Sequence, residues 1–215
     1  WIWEGGFQVY SEGSYYSTEL RRAKDEDRIT KVRYDRGKGV ITAWDLGIGD
    51  STSIVFAQFI GAEIHIIDYY EASGAGLEHY VKVLQDKGYV YDQHVLPHDV
   101  RVRELGSGKS RIEMLEELGI HNIEIAPQLL IDDGIQQVRT MLDKCYFDEV
   151  QCEKLIDSLL AYSREWDDNG MTWRMRPKHD WSSHAADAMR YLAIGYRPFN
   201  ENWDKPLRRN LQGVV

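Results

Sequence analysis

The chain has 215 residues, 43% hydrophobic and 28% charged, a composition typical of one globular domain and unlike that of disordered chains. No apolar stretch approaches the roughly 20 residues that span a membrane, so no membrane partner is expected. The net charge of −9 argues against a general nucleic-acid binder, although cations bound at an acidic site would offset part of it. Cys145 and Cys152 fit neither a disulfide nor a metal framework and are interpreted as reduced thiols.

The pattern in the first half of the chain predicts a leader segment followed by an antiparallel meander of strands. Residues 1–39 form a leader rich in Gly, Tyr and charge, with a short polar helix predicted over 17–27. Very short turns separate the apolar runs that follow, which indicates antiparallel pairing. The predicted elements are strands over 40–46, 52–60 and 62–70, and a helix over 77–87 that ends at Gly88.

The second half alternates strands and helices, which favours parallel strands added through crossover helices. Its predicted elements are strands over 93–98 and 122–126, helices over 110–118, 132–144, 149–165 and 182–195, and an irregular segment or hairpin over 166–178. The sequence therefore predicts an α/β domain over 40–197, with a mixed sheet flanked by helices. Residues 198–215 lack periodicity and are expected to form a flexible tail.

Three carboxylates stand where a metal site is expected. The apolar run from Val40 ends at Asp45, before a turn that contains glycine, and a carboxylate buried there is costly unless a cation or hydrogen bonds offset it. Asp99 follows another short apolar run, and Asp187 lies among alanines on the last helix. Oxygen ligands suit Mg²⁺ or Mn²⁺ rather than zinc. Two such ions, roughly 3.5–4 Å apart, are the usual machinery of phosphodiester hydrolysis.

Two further residues are candidates for supporting these acids. His184 lies three residues before Asp187 and shares its helix face, so it could orient the acid, contact a phosphate, move a proton or simply pack. Asp50, across the turn from Asp45, could act through water or only shape the turn. Asp68 is interpreted as a solvated acid at the end of the third strand.

A basic loop follows Asp99. The stretch Gly106-Ser-Gly-Lys-Ser110 lacks the earlier glycine of a phosphate-binding P-loop, because Arg103 occupies that position. We interpret it as a flexible loop that presents Lys109 and Arg111 to a DNA backbone, with Arg101 and Arg103 in the same basic cluster. Such contacts position a duplex without reading its sequence.

Several stretches together resemble the C-terminal nuclease domain of tailed-bacteriophage large terminase subunits, within the ribonuclease H-like superfamily. The resemblance covers roughly residues 10–197 and is most specific in the combination of its first and last long motifs. The matching stretches are Ser14-Tyr-Tyr16, Thr42-Ala-Trp-Asp-Leu-Gly-Ile-Gly-Asp-Ser-Thr52, Ile67-Asp-Tyr-Tyr-Glu71, Leu96-Pro-His-Asp99 and Ser182-Ser-His-Ala-Ala-Asp-Ala-Met-Arg-Tyr191.

The resemblance implies a function and a set of partners. Asp45, Asp99 and Asp187 take the places of the family's catalytic acids and would hold two Mg²⁺ or Mn²⁺ ions. The family cuts concatemeric double-stranded viral DNA during genome packaging in the host cytoplasm, together with an N-terminal ATPase domain, a portal protein and a small terminase subunit. The chain begins without Met and is expected to be an excised domain or a mature fragment, and the isolated domain is expected to be a monomer.

Other readings of the sequence remain open. A Holliday-junction-type resolvase would share the fold and the metal-binding acids, but it would be a dimer that binds branched DNA. A non-catalytic module that docks on DNA or on the portal would use the acids only structurally. An actin-like ATPase would need a duplicated domain and a second Asp-x-Gly motif, for which this chain is too short.

Overall fold

The computed structural model describes residues 13–47, 50–103, 108–167 and 170–196, excluding the side chain of Met175. The start of the leader and the expected flexible tail over 198–215 lie outside the described residues. Among the described helices, none is long and apolar enough to cross a membrane.

Seven strands form one mixed sheet in the spatial order β1-β7-β4-β3-β2-β5-β6. The pairs β2–β3 and β3–β4 are antiparallel, and the other four pairs are parallel, which confirms the predicted α/β mixed sheet. The strands are β1 (Ile29–Thr30), β2 (Val40–Asp45), β3 (Ser51–Ile60), β4 (Glu63–Ser73), β5 (Tyr91–Leu96), β6 (Ile123–Ile125) and β7 (Cys145–Asp148).

Helices cover both faces of this sheet. The α-helices are α1 (Ser17–Asp25), α2 (Leu77–Lys87), α3 (Arg111–Glu117), α4 (Ile131–Leu142), α5 (Glu153–Ala161) and α6 (Ser183–Gly195). One buried cluster joins α1, α4, α5 and α6 to one face, and a second cluster joins α2 and α3 to the other. A separate hairpin of β8 (Arg164–Asp167) and β9 (Thr172–Pro177) precedes α6.

Strand β2 lies inside the sheet, between antiparallel β3 and parallel β5. Its side chains alternate between the two buried clusters, with Ile41 and Ala43 on the α6 side and Val40 and Trp44 on the other. Burial on both faces explains why this segment reads as an uninterrupted apolar run. Asp45 falls on the same side as Ala43, which directs its carboxylate toward α6.

The structured part of the leader packs on the core. Tyr16 and Leu20 are fully buried in the same cluster as α5 and α6, and the Tyr16 ring stacks on Tyr162 with 5.7 Å between centroids. Ser14 forms an antiparallel bridge with Ser163 at the base of the hairpin. Residues before Val40 therefore pack against the segment that joins α5 to the hairpin.

The structure corrects several predicted elements. Strands β1 and β7 were not predicted, because two to four residues are too few to show an alternation, and they form by pairing with each other and with β4. The predicted helix over 149–165 ends at Ala161, and the residues from Arg164 onward enter the hairpin. That hairpin agrees with the turn predicted at Asn169-Gly170, although Asp168 and Asn169 lie outside the described residues.

The interpretation of Asp68 as a solvated acid is wrong. Strand β4 continues to Ser73, so Asp68 lies in mid-strand with only 3% of its surface exposed. Its carboxylate forms an ion pair with Lys87 and accepts a hydrogen bond of 3.0 Å from the Tyr89 hydroxyl. Asp68 is therefore a paired acid of the core. Both cysteines are free, as predicted, and both lie buried in the core.

Candidate active site

Helix α6 packs on β2 and β3, and its buried face is rich in small residues. Ala185, Ala186 and Ala188 are buried in this contact, and a Cβ on Gly195 would lie only 2.3 Å from Cγ1 of Val95. This approach brings His184 to the end of β2, where its Nδ1 lies 3.1 Å from Oδ2 of Asp45. The close packing of small side chains thus brings the last helix to the first predicted acid.

Asp187 and Asp45 share one electrostatic environment. Burial raises the pKa of the Asp187 carboxyl to about 6, with Arg190 opposing this rise and the charge of Asp45 adding to it. Burial also raises the pKa of Asp45, against the hydrogen bond from His184. Each raised pKa means that nearby positive charges do not fully balance the negative charges of the two ionised carboxylates in the metal-free protein. Positive charge bound near these carboxylates would lower both pKa values.

Asp99 lies at the rim of this pair rather than inside it. The predicted strand over 93–98 stops at Leu96, and after Pro97 the chain forms a 3₁₀ turn, His98–Arg101, that carries Asp99. Strands β2 and β5 are parallel, so Asp45 and Asp99 emerge at the same edge of the sheet. The charge of Asp99 raises the pKa of Asp45, which places it within electrostatic reach, but its side chain is exposed.

Both ring nitrogens of His184 face carboxylates. Nδ1 faces Asp45, and Nε2 lies 3.3 Å from Oδ1 of Asp50. The hydrogen bond to Asp45 is the main cause that raises the pKa of His184 above its usual value. A protonated imidazole has a donor for each partner. Asp50, itself approached by Nε2 of His179 at 4.0 Å, therefore joins the turn after β2 to the start of α6.

A further acid, Glu71, was not among the candidates from the sequence analysis. The strand register places Asp45 opposite Ser53, and Ser53 opposite Glu71, in one row across three strands. Glu71 is almost buried, accepts a hydrogen bond of 2.7 Å from the Tyr69 hydroxyl and lies 3.3 Å from Lys154. Its charge also raises the pKa of His184. The signal was present in Ile67-Asp-Tyr-Tyr-Glu71, because a short-turned meander fixes which residues face each other.

The donor set fits a hard divalent ion better than a soft one. Within the described residues, no group of three or more His, Cys, Asp or Glu side chains is arranged so that it could hold a metal ion. Asp45 and Asp187 nevertheless offer carboxylate oxygens whose negative charge is not fully balanced by neighbouring groups. Both cysteine thiols are buried elsewhere in the core. Oxygen donors without sulfur suit Mg²⁺ or Mn²⁺.

The predicted basic cluster lies beside the same edge of the sheet. Arg111 donates to the carbonyl oxygen of Leu46, next to Asp45, at 3.4 Å, and Lys109 forms an ion pair of 2.6 Å with Glu117. Arg103 lies 3.8 Å from Glu113, and Arg101 is exposed. Residues 104–107, which include the start of the predicted glycine-serine loop, lie outside the described residues.

No protein-family model and no curated protein matches this sequence. Solved structures do match. A large terminase from a thermophilic bacteriophage superimposes with a TM-score of 0.59 at 18% identity, over 79% of this chain and 43% of that protein. The chain thus spans less than half the length of that terminase.

Two isolated domains match over most of their own length. The nuclease domain of the large terminase g2p from bacteriophage SPP1, solved with bound Mn, gives a TM-score of 0.56 at 19% identity, over 74% of this chain and 85% of that domain. The large terminase nuclease of thermophilic phage G20c, solved with bound magnesium, gives 0.56 at 14% identity, over 85% of this chain and 97% of that chain. The chain therefore has the ribonuclease H-like fold of the large terminase nuclease domains.

Proposed function

We propose that the chain is the nuclease domain of a tailed-bacteriophage large terminase. It would be a divalent-metal-dependent endonuclease that cuts concatemeric double-stranded viral DNA during genome packaging. The observation that carries this proposal is the approach of α6 to the end of β2, in the fold of that nuclease family. There His184 lies 3.1 Å from Asp45, and the charges of Asp45 and Asp187 interact. Two carboxylates whose charges interact, at the end of β2 and beside basic residues, would suit metal-assisted hydrolysis of a phosphodiester.

The three predicted acids would have distinct roles in this site. Asp45 and Asp187 would hold Mg²⁺ or Mn²⁺, and Asp99 would complete the ligand set from the rim. Two bound ions would supply an activated water and stabilise the leaving oxygen. His184 and Asp50 would hold the Asp45 carboxylate in place from the other side. The structures of the SPP1 and G20c domains with manganese and magnesium support a divalent ion of this class.

The choice of ion can be tested directly. We expect faster plasmid nicking in Mn²⁺ than in Mg²⁺ at equal concentration, because Mg²⁺ demands near-ideal octahedral geometry and Asp99 stands apart from the other acids. Ca²⁺ should inhibit, since it takes more ligands at longer distances. Matched time courses on supercoiled plasmid would measure the three rates. Equal or faster cutting in Ca²⁺ would contradict the proposed site chemistry.

We further propose that Lys109, Arg111, Arg101 and Arg103 contact the DNA backbone. Lys109 would exchange its surface pair with Glu117 for a phosphate, at little cost, because exposed ion pairs contribute at most about 1 kcal/mol. Arg111 already lies beside the residue that follows Asp45. Phosphate contacts at this place would align the duplex with the acids without selecting a sequence.

The double variant Lys109→Ala with Arg111→Ala is expected to weaken DNA binding for all sequences. Two lost phosphate contacts should reduce the slope of log affinity against log salt by about 2, at roughly 0.9 per contact. Fluorescence anisotropy at several salt concentrations would measure both effects. A matched control is Arg36→Ala with Lys38→Ala, two exposed cations before the opposite end of β2. Equal slopes for the two double variants would remove the loop from the DNA interface.

The length comparison supports the proposal that further domains or subunits act with this nuclease. The thermophilic phage terminase that this chain matches is more than twice as long as the matched part, and its structures include complexes with ADP and ATP-gamma-S. We propose that this nuclease acts with an N-terminal ATPase domain, a portal protein and a small terminase subunit in the host cytoplasm. Strong preference for four-way junctions over linear duplex DNA would instead indicate a resolvase.

A further inference from the structure

We propose that Arg190 is a positioning residue for Asp187. We also propose that Gly134 on the neighbouring helix, which has no side chain, leaves the room that Arg190 needs to reach Asp187. The inference rests on the proposed function, because Asp187 is one of its metal-binding acids. Arg190 lies one turn after Asp187 on α6, and its Nη2 donates to Oδ1 of Asp187 at 2.8 Å. The contact occupies one oxygen of the carboxylate and leaves the other for an ion.

Arg190 is unusually enclosed for a charged residue. Its side chain is only 13% exposed, and its guanidinium carbon lies 5.3 Å from the centre of the Tyr191 ring. Its Nε is buried and, among the described residues, has no hydrogen-bond partner. Burying a guanidinium costs desolvation energy that a single ion pair does not always repay. A purely structural role therefore explains the buried guanidinium poorly. A role in orienting a catalytic carboxylate explains why this desolvation is tolerated.

Gly134 supplies the space through which Arg190 passes. It is buried within α4, which packs against α6, and its backbone is ordinary helix rather than a left-handed conformation. A Cβ at this position would lie 2.5 Å from Cδ and 2.7 Å from Cγ of Arg190. Glycine inside a helix is destabilising relative to alanine. The backbone conformation does not require glycine at this position. The aliphatic part of the Arg190 side chain does, because it fills the space that a Cβ would occupy.

The orientation of the Asp187 carboxylate would therefore depend on α4, a helix that carries none of the proposed catalytic residues. Displacing the Arg190 stem by a single methyl group at position 134 would move the guanidinium away from Oδ1. The Asp187 carboxylate would then rotate, although no charge in the site had changed. Groups that orient metal ligands from behind typically affect metal affinity or activity by about 10- to 100-fold.

Gly134→Ala and Arg190→Lys test the proposal because both keep every charge in the site. Each is expected to weaken Mn²⁺ binding, measured by isothermal titration calorimetry without DNA, by about 10-fold or more. The control Gln137→Ala, an exposed position on the same helix, should bind Mn²⁺ as the parent does. Circular dichroism would verify folding, and if Gly134→Ala does not fold, Arg190→Lys decides by the same titration.

A double-mutant cycle separates positioning from general packing. In an Arg190→Ala background the stem is gone, so adding Gly134→Ala should produce no further loss of Mn²⁺ affinity. Additive losses, or parental affinity in both charge-conserving variants, would overturn the inference while leaving the nuclease proposal intact. A parent that neither binds Mn²⁺ nor cuts DNA would instead overturn the proposed function.

Discussion

Replacing Asp45 or Asp187 by alanine is expected to lower the rate of DNA cleavage by more than about 100-fold, since each removes a proposed ligand of the catalytic ions. Asp99→Ala should also abolish cutting, but its exposed position on the 3₁₀ turn makes it the most demanding test of the triad. Supercoiled-plasmid nicking in Mn²⁺ would measure the rates.

Folding controls make these variants informative. Asp45→Ala should leave the melting temperature of the metal-free protein unchanged or raise it, because the charge of Asp45 opposes ionisation of Asp187. Asp133→Ala, an exposed acid on α4, should cut at the parental rate. A triad variant that cuts as fast as Asp133→Ala would lose its place in the proposed site.

Removal of metal is expected to abolish cutting completely, and Mn²⁺ should restore it. Mn²⁺ should also raise the melting temperature of the EDTA-treated protein at pH 7.5, because the ion compensates Asp45 and Asp187. The folded protein holds the Asp187 proton more tightly than the unfolded chain, so metal-free stability should fall as the pH rises from about 4 through about 6.

The same linkage predicts the pH dependence of the metal effect. At pH 5 Asp187 is largely protonated, and a proton must leave before an ion binds, so the Mn²⁺-induced rise in melting temperature should be smaller than at pH 7.5. Differential scanning fluorimetry at the two pH values would measure it. In Asp45→Ala the rise should be small at both. Cleavage that persists after exhaustive chelation would contradict the metal-dependent mechanism.

Local sequence signals were sufficient for Asp45 and for α6. The apolar run before Asp45 encodes a strand buried on both faces, and the alanines around Asp187 encode a helix packed at close range. Both signals lie within about a dozen residues of the acid. The mixed sheet could be predicted for the same reason, since short turns require antiparallel neighbours and intervening helices allow parallel ones.

Other features depend on partners distant in sequence and could not be predicted. Asp68 is buried because Lys87 and Tyr89, 19 and 21 residues away, meet it from another element. Strand β1 has two residues and exists only because β7 lies beside it. Arg190 stands inside a recognised motif, but its contact with Asp187 depends on the space at Gly134, 56 positions earlier in the printed sequence. Pairing and space of this kind arise only in the folded chain.

The place of β2 inside the sheet also divides the molecule by mobility. Hydrogen bonds hold this strand on both edges and helices cover both its faces, so we expect its amide hydrogens to exchange with solvent only through global unfolding. The β8–β9 hairpin is a separate two-stranded unit that can open locally, yet Trp166 and Trp173 of the hairpin line the same cleft as Asp187. We therefore expect the strand that carries Asp45 to stay rigid while the hairpin opens and closes one wall of the cleft.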